Sequence, residues 1–320
     1  MRSIFVLLAL CAGLPAFAQS QSLVVCSEAA PEGFDIVQYT AATTADASAE
    51  TVYERLVQFA PGSTRIVPAL AESWEVGADG LTYTFTLRKG VQFHQTPWFK
   101  PSRELNSDDV LWSFQRQRDK DHPWHALSPR GYPYFEAMGF AELIEKIEAL
   151  DEHRVRFTLK HPEAPFLADL AMGFTSIYSA EYAEQLLDAE TPQKLNSQPI
   201  GTGPYTFGSW DRGSRIVLER NDDYHGQAPY FAAAEMQYFK DANSLNNAML
   251  TDAIDIVSTV QAPESLAEFE GGDFQIIEGT TNGEVVLSMN QEEGNPLADP
   301  ALRAAEAEAA AELTSAPRRS

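Results

Sequence analysis

The chain has 320 residues, a formal net charge of −23 at pH 7 and 44% hydrophobic residues. This length predicts about two domains, and the ordinary apolar content excludes a chain that is disordered throughout. The acidic balance disfavours a nucleic-acid partner, and two cysteines are too few for a disulfide framework or a cysteine-rich zinc site.

The first residues have the three parts of a secretory signal peptide. Arg2 precedes an apolar run over residues 4–14, and a small-x-small sequence ends at Ala18. The run is shorter than the about 20 apolar residues that span a bilayer. We predict that residues 1–18 are removed by cleavage after Ala18, and that the mature chain is exported and not embedded in a membrane.

Hydrophobic periodicity predicts a mixture of helices and hairpins along the mature chain. Residues 23–26 are typical of a buried strand, and residues 47–59 carry apolar residues at helical spacing. Further helices are predicted to begin near Asn106 and to cover residues 179–187. Three hairpins and several shorter pieces are predicted at residues 74–93, 144–159, 205–220, 243–250, 254–257, 263–269 and 285–289. Hairpins mixed with helices, without regular β-α repetition, favour mixed sheets in an α/β or α+β protein.

Motifs of common enzymes are missing from the sequence. It contains no G-x-S-x-G, H-E-x-x-H or G-x-x-x-x-G-K-[ST] pattern. Gly201-Thr202-Gly203 begins like a dinucleotide fingerprint, but the match ends there and a turn before the third hairpin is the better interpretation. We therefore predict a protein that is not an enzyme and has no catalytic residues.

Two kinds of titratable cluster are candidates for metal or acid–base chemistry. His122 and His125 are three residues apart, but a proline lies between them and no third ligand is evident, so we predict no metal site and no cofactor. Three adjacent acidic pairs are interpreted as helix caps and surface charge rather than catalytic dyads: Asp108-Asp109, Asp222-Asp223 and Glu292-Glu293.

Seven short segments carry a resemblance to a known family. They are LVVCSE (23–28), PEGF (31–34), LAESW (70–74), YTFTLRKGV (83–91), LNSDDV (105–110), PEAPFLADL (162–170) and PIGTGPY (199–205). Together they resemble the periplasmic solute-binding proteins of peptide ABC transporters, family 5 of the bacterial extracellular solute-binding proteins. The resemblance is dense over residues 23–226 and weaker up to Arg303.

The resemblance implies an α/β fold of the periplasmic-binding-protein-like type II class, with mixed sheets. Residues 19–51 and 199–302 would form an incomplete first lobe, and residues 52–198 an inserted domain. It also implies a periplasmic protein that binds a dipeptide or short peptide and delivers it to an inner-membrane ABC permease.

The resemblance also implies that one loop of this chain contacts the bound peptide. Tyr39, Thr40, Ala41 and Ala42 resemble the family segment whose backbone runs beside the bound peptide. The alternative is that this loop is an ordinary connection between a strand and a helix.

Three departures from the family pattern shape the remaining expectations. The resemblance stops at Arg303, and residues 303–320 are an atypical Ala/Glu-rich tail that could form an exposed helix. The second lobe, where the family holds both charged ends of the peptide, is therefore expected to be missing. Cys26 resembles a cysteine that the family pairs with one near Ile254, so Cys26 is predicted to be unpaired.

These departures predict that the 320-residue form binds dipeptides weakly or not at all. One alternative is a truncated or frameshifted product without binding function. Others are a family member that carries haem, nickel or longer peptides, and a secreted hydrolase, for which no nucleophile or metal site is evident.

Overall fold

The computed structural model describes residues 22–128, 130–239, 241–258, 263–270, 272–277, 289–292 and 294–315. The chain divides into two compact units, residues 1–266 and 267–320. The predicted signal peptide, residues 1–18, lies outside the described residues, as does the predicted piece at 285–289 except for its last residue. Among the described residues, no helix has the length and apolar composition that crossing a bilayer requires.

The elements are short and alternate irregularly between strand and helix. The strands are β1 Ser22–Ser27, β2 Val57–Phe59, β3 Ile66–Pro68, β4 Ala71–Val76, β5 Thr82–Leu87, β6 Ile144–Asp151, β7 Arg154–Leu159, β8 Tyr205–Asp211, β9 Arg215–Arg220, β10 Ala233–Tyr238 and β11 Ile256–Val257. The α-helices are α1 Ala42–Ser48, α2 Ser107–Arg118, α3 Pro133–Ala137, α4 Phe140–Leu143, α5 Phe166–Asp169, α6 Ala180–Asp188, α7 Ala242–Leu250 and α8 Pro300–Ser315. Short 3₁₀ turns cover Ile36–Gln38, His125–Leu127, Gly173–Thr175, Pro192–Asn196, Pro263–Glu268 and Pro296–Ala298.

One sheet is mixed and has five strands in the order β11-β1-β10-β9-β8. β1 runs parallel to both β10 and β11, whereas β8, β9 and β10 pair antiparallel. Successive side chains of β9 point to opposite faces of the sheet, so Ile216 and Leu218 are buried and their neighbours are less covered. The predicted first strand and third hairpin are confirmed, and the parallel pairing shows that they belong to one mixed sheet.

The second sheet is antiparallel, in the order β4-β5-β7-β6. It combines the first two predicted hairpins. Phe85 of β5 and Phe157 of β7 are fully buried and meet edge-to-face at 5.7 Å. Both belong to the same hydrophobic cluster as Ile216 and Leu218 of the five-stranded sheet. The proposed division into a first lobe and an inserted domain at residues 52–198 stays a prediction.

The predicted helix at residues 47–59 is wrong. The helix α1 instead ends at Ser48, and the chain continues without helix until Val57 begins β2 and pairs with β3. Residues 52–57, which include the charged Glu54 and Arg55, are all buried, so this segment is covered on every side and not along one helical stripe. Periodicity cannot separate these two cases in a short segment.

The other helix predictions are confirmed. Asn106 caps α2, and Ser179 caps α6 by accepting a hydrogen bond from the backbone N–H of Tyr182. The piece predicted at 243–250 is α7, and that at 263–269 is a 3₁₀ turn. Residues 303–315 of the Ala/Glu-rich tail lie in the helix α8, whose described side chains are mostly exposed.

Candidate functional site

Tyr39, Thr40 and Ala41 of the predicted ligand loop join the 3₁₀ turn Ile36–Gln38 to α1, whereas Ala42 is already the first residue of that helix. Tyr39 is buried at its start, whereas Thr40 and Ala42 are exposed. The carbonyl oxygen of Ala41 accepts the first backbone hydrogen bonds of α1. The four predicted residues therefore form a short exposed segment with one buried anchor. Their contact with a ligand stays a prediction.

Asn196 holds residues 33–39, the segment that leads into this loop and that we call its approach. Its side-chain oxygen accepts hydrogen bonds from the backbone N–H groups of Phe34 and Asp35, both at 2.9 Å. Its amide nitrogen donates to the Tyr39 hydroxyl at 2.7 Å. A Cβ at Gly33 would collide with the Asn196 side chain, so glycine is required there by close approach. One side chain thus fixes the segment from residue 33 to residue 39.

A buried ion pair also fixes this segment. Arg116 of α2 donates to the Asp35 carboxylate at 2.7 Å, and both side chains are almost fully buried. Gln38 donates to the same carboxylate oxygen. Burial disfavours the charged guanidinium, but the Asp35 carboxylate, together with Tyr132 and Tyr178, outweighs this and raises the pKa of Arg116 above its ordinary value. The positive charge of Arg116 is therefore retained in the interior.

Aromatic rings surround the Arg116 guanidinium. Its central carbon lies 5.1–5.7 Å from the centroids of four rings, those of Trp112, Trp124, Tyr132 and Tyr178. Such contacts are favourable when the cation is desolvated. Together with Asp35 they hold the guanidinium of Arg116 in place behind the loop.

A cavity of about 240 Å³ lies beside this ion pair, and we call it the Arg116 cavity. Arg130 lies at its wall, with its guanidinium 5.1 Å from the centroid of the Tyr39 ring and 2.6 Å from the Glu32 carboxylate. Burial raises the pKa of Tyr39, which stays a neutral hydrogen-bonding group. The cavity is lined by Asp35, Gln38, Tyr39, Arg116, Trp124, Leu127, Arg130, Pro192, Gln193 and Asn196.

The segment around Gly201 and Gly203 is a structural junction. Cβ atoms at these glycines would collide with the carbonyl oxygens of Val52 and Thr51, so only glycine permits the backbones to approach so closely. Between them, Thr202 donates to the Glu54 carboxylate at 2.9 Å. The chain bends at residues 202–204 before β8, and the close contacts here join distant segments of the chain.

Glu54 is the centre of this junction. His225 Nε2 lies 2.9 Å from its carboxylate, and Tyr224 donates to it at 3.2 Å. Burial, followed by the nearby Glu54 charge, raises the pKa of Tyr224. Sequence analysis missed this cluster because 171 residues separate Glu54 from His225 and no local motif marks the pair.

His122 and His125 are each held by backbone groups. His122 Nδ1 accepts a hydrogen bond from the backbone N–H of Trp124, and His125 Nδ1 lies 3.0 Å from the carbonyl oxygen of Arg116. Within the described parts of the chain, no group of three or more His, Cys, Asp or Glu side chains could hold a metal ion. The two rings therefore serve the local fold around Arg116.

The acidic pairs take the structural places predicted for them where they are described. Asp109 forms a capping box with Asn106 and a 2.6 Å ion pair with Arg103. Asp222 pairs with Arg220 at 2.7 Å. Glu292 is exposed, and its neighbour at position 293 lies outside the described residues.

Cys26 is a buried free thiol at the end of β1. It packs in a small cluster with Leu245 and Ile254, which stands where the family resemblance would place a second cysteine. Burial raises the pKa of the Cys26 thiol to about 11. The thiol is therefore protonated and shielded at neutral pH.

Comparison with known proteins gives a consistent result. Residues 65–309 match the family described as bacterial extracellular solute-binding proteins, family 5 Middle. The chain is 60% identical over 222 residues to di/tripeptide-binding protein 4 of Pseudomonas aeruginosa strain UCBPP-PA14, which covers 69% of this chain and 41% of that protein. The chain thus spans about two fifths of the length of the curated relatives it matches.

Two solved structures are similar over 79% of this chain. One is an ABC transporter-associated periplasmic binding protein from Helicobacter pylori in complex with peptide STSA, with 38% identity and a TM-score of 0.76. The other is the dipeptide-binding protein from Pseudoalteromonas sp. SM9913 in complex with Met-Leu, with 34% identity and a TM-score of 0.76. This chain covers 49% and 50% of them. The predicted α/β fold with mixed sheets is confirmed over the matched part.

Proposed function

Because the chain belongs to the bacterial extracellular solute-binding proteins, family 5, we propose that it binds dipeptides and short peptides for an ABC importer. The observation that carries the proposal is the 60% identity to a di/tripeptide-binding protein. Its relatives are binding proteins, and we propose that this chain likewise makes and breaks no bonds. We place it in the periplasm after removal of residues 1–18, with an inner-membrane ABC permease as its partner.

We propose the loop Tyr39, Thr40, Ala41 and Ala42 as this chain's contribution to the peptide site. Its position supports this role, because Asn196 and the Asp35–Arg116 pair hold its approach while Thr40 and Ala42 remain exposed. The Tyr134 hydroxyl also donates to the carbonyl oxygen of Thr40, at 3.4 Å. A loop held at both ends loses little conformational entropy when a peptide binds along it.

The loop carries no charged side chain, and this limits the expected affinity. A peptide with free ends brings one ammonium and one carboxylate group. Each costs several kcal/mol to desolvate without a partner of opposite charge. We therefore expect a complex that relies on backbone hydrogen bonds and is weaker than micromolar.

The test is calorimetric titration of the 320-residue chain with the dipeptide Met-Leu. We expect weak, saturable binding that the variant Thr40→Trp abolishes, because a large ring on the exposed loop blocks the peptide. The matched control is Thr64→Trp, at an exposed threonine in the turn between β2 and β3. It should bind as the parent does.

Each other outcome has a definite meaning. Micromolar or tighter binding would contradict the expected weakness, and no peptide binding would favour a product without binding function. Binding of haem or nickel ions in preference to peptides would place the chain with other ligands of the family. Cleavage of the peptide during the titration would revive the hydrolase alternative.

A further inference from the structure

We propose that Tyr39 is a positioning residue of the peptide site and not a contact residue, and that it acts as one unit with Asn196. The inference rests on the proposed function, and it divides the ligand loop into two parts. Tyr39 sets the place of the loop through its bond with Asn196, whereas Thr40, Ala41 and Ala42 meet the peptide. The burial of Tyr39, its bonded hydroxyl, the anchoring of Asn196 and the backbone that follows carry the inference.

Tyr39 offers little surface to a ligand. The residue is 6% exposed, whereas Thr40, directly after it, and Ala42 are exposed. The guanidinium of Arg130 also lies over its ring, 5.1 Å from the ring centroid. A residue covered in this way acts on a bound peptide mainly through the position of its own backbone.

The Tyr39 hydroxyl already has a partner within the protein. The side-chain amide of Asn196 donates to it at 2.7 Å, from 157 residues away in the sequence. Such a bond is stronger in a covered place than in water, because water does not compete for the donor and the acceptor. The bond therefore fixes the ring, and with it the start of the loop, relative to Asn196.

Asn196 is itself anchored. It ends the 3₁₀ turn Pro192–Asn196, in which Leu195 is 2% exposed. The two residues that follow Asn196 donate their backbone N–H groups to the carbonyl oxygen of Lys194, at 3.0 and 2.7 Å. The backbone N–H of Phe34 lies 3.1 Å from the carbonyl oxygen of Asn196 and 2.9 Å from its side-chain oxygen. Asn196 is therefore a fixed point and does not simply follow the loop.

A short stretch of backbone connects this anchor to the helix α1. Tyr39 has extended backbone angles, and its N–H donates to the carbonyl oxygen of Ile36 at 3.1 Å. Ala41 is also extended, and its carbonyl oxygen accepts the first hydrogen bonds of α1. Only Thr40 and Ala41 lie between Tyr39 and the first residue of α1. A shift of Tyr39 is therefore passed to them, because so short a connection has few ways to absorb it.

The test is an NMR titration of the 320-residue chain with the dipeptide Met-Leu, which also measures weak binding. Tyr39→Phe removes the hydroxyl and keeps the ring, and it should weaken binding about threefold to tenfold, the effect of one lost hydrogen bond. Asn196→Ala should weaken binding at least as much. Urea unfolding ensures that each variant is folded under the conditions of the titration.

The matched control is Tyr224→Phe, which removes a hydroxyl that donates to Glu54 at 3.2 Å, outside the ligand loop and its approach. It should bind Met-Leu as the parent does. An equal loss of affinity in Tyr224→Phe, or no loss in Tyr39→Phe, would overturn the inference.

A double-mutant cycle separates positioning from contact. If Tyr39 acts through Asn196, the variant with both substitutions loses no more affinity than Asn196→Ala alone, because both substitutions break the same link. If Tyr39 instead contacts the peptide, the two losses multiply in the double variant. That second result would overturn the inference, although the proposed function would stand.

Failure of the proposed function is recognised separately, by a parent chain that does not bind Met-Leu. The backbone amide signals of Thr40 and Ala41 in the chain without ligand then decide the inference. Tyr39→Phe and Asn196→Ala should move both signals, whereas Tyr224→Phe should leave them in place. Moved signals uphold the positioning of the loop, and unmoved signals overturn it.

Discussion

The side-chain amide of Asn196 donates a 2.7 Å hydrogen bond to the Tyr39 hydroxyl, across 157 residues of sequence. The same side chain accepts from two backbone N–H groups at Phe34 and Asp35. Asn196 is thus the main link between the 3₁₀ turn Pro192–Asn196 and the approach to the ligand loop.

Asn196→Ala is expected to lower the free energy of unfolding by about 2 kcal/mol or more, because it leaves the Asp35 N–H and the Tyr39 hydroxyl without this partner. Urea unfolding measures the change. Asn243→Ala, at an exposed position of α7, serves as the control and should change stability little. A further check is Gly33→Ala, which should cost less in the Asn196→Ala background, because the side chain it collides with is gone.

Asp35→Asn is expected to destabilise the protein by about 3 kcal/mol or more, because it leaves the buried Arg116 charge without its carboxylate. Thermal and urea unfolding measure the loss. Glu32→Gln removes one carboxylate from an exposed ion pair with Arg130 and should cost less than about 1 kcal/mol. Similar small effects of both substitutions would contradict the role given to Asp35.

Gly201→Ala is expected to cost roughly 3 kcal/mol or more, because its Cβ would collide with the backbone carbonyl of Val52, which cannot rotate away. Gly213→Ala is the matched control. A Cβ there meets only the Asp211 side chain at 3.6 Å, an ordinary contact. If the two variants unfolded at the same urea concentration, the close approach at Gly201 would not be a constraint.

His94 makes stability depend on pH. Its Nε2 donates to the Gly203 carbonyl oxygen and its Nδ1 accepts from the Gly201 N–H, an arrangement that only the neutral ring can make. Burial is the main cause that lowers the pKa of His94 to about 4, from 6.5. The unfolded chain therefore binds a proton between pH 6.5 and 4 that the folded chain does not.

The contribution of His94 is complete above pH 6.5 and is lost as the pH falls towards 4, by roughly 3 kcal/mol in all. Urea unfolding from pH 7.5 to 5 should show this loss, and His94→Gln should flatten the slope. Part of the slope remains, because burial also lowers the pKa of His122. The matched control is His161→Gln, at an exposed histidine. An unaltered slope in His94→Gln would contradict this assignment.

Cys26 is expected to react slowly with a thiol reagent at pH 8, because it is 1% exposed and its pKa of about 11 leaves little thiolate. The variant Cys11→Ser makes Cys26 the single thiol of the chain. Its reaction should become fast when urea unfolds the protein. Fast reaction of the native protein would show that the cluster with Leu245 and Ile254 opens readily.

Prediction from sequence succeeded where local patterns decide the structure. The alternation in β5 and β9 and the caps Asn106 and Ser179 are properties of a few consecutive residues, and each was located from them. It failed at residues 47–59. Over such a short segment, a chain that is buried on all sides can show the same spacing of apolar residues as a helix.

The polar clusters could not be predicted for a different reason. Asp35 and Arg116 are 81 residues apart, and Glu54 and His225 are 171 apart. In the sequence each looks like an ordinary surface charge. Only the fold removes them from water, and burial then requires each to find a partner.

The sequence alone therefore determined the family, the mixed α/β character and the hairpins, because these depend on local composition and on short motifs. The tertiary structure decided what holds the ligand loop and what lies behind it. Asn196, Arg116 and the cavity beside them act through contacts between distant segments, and the strength of such contacts depends on exclusion of water, which no local pattern records.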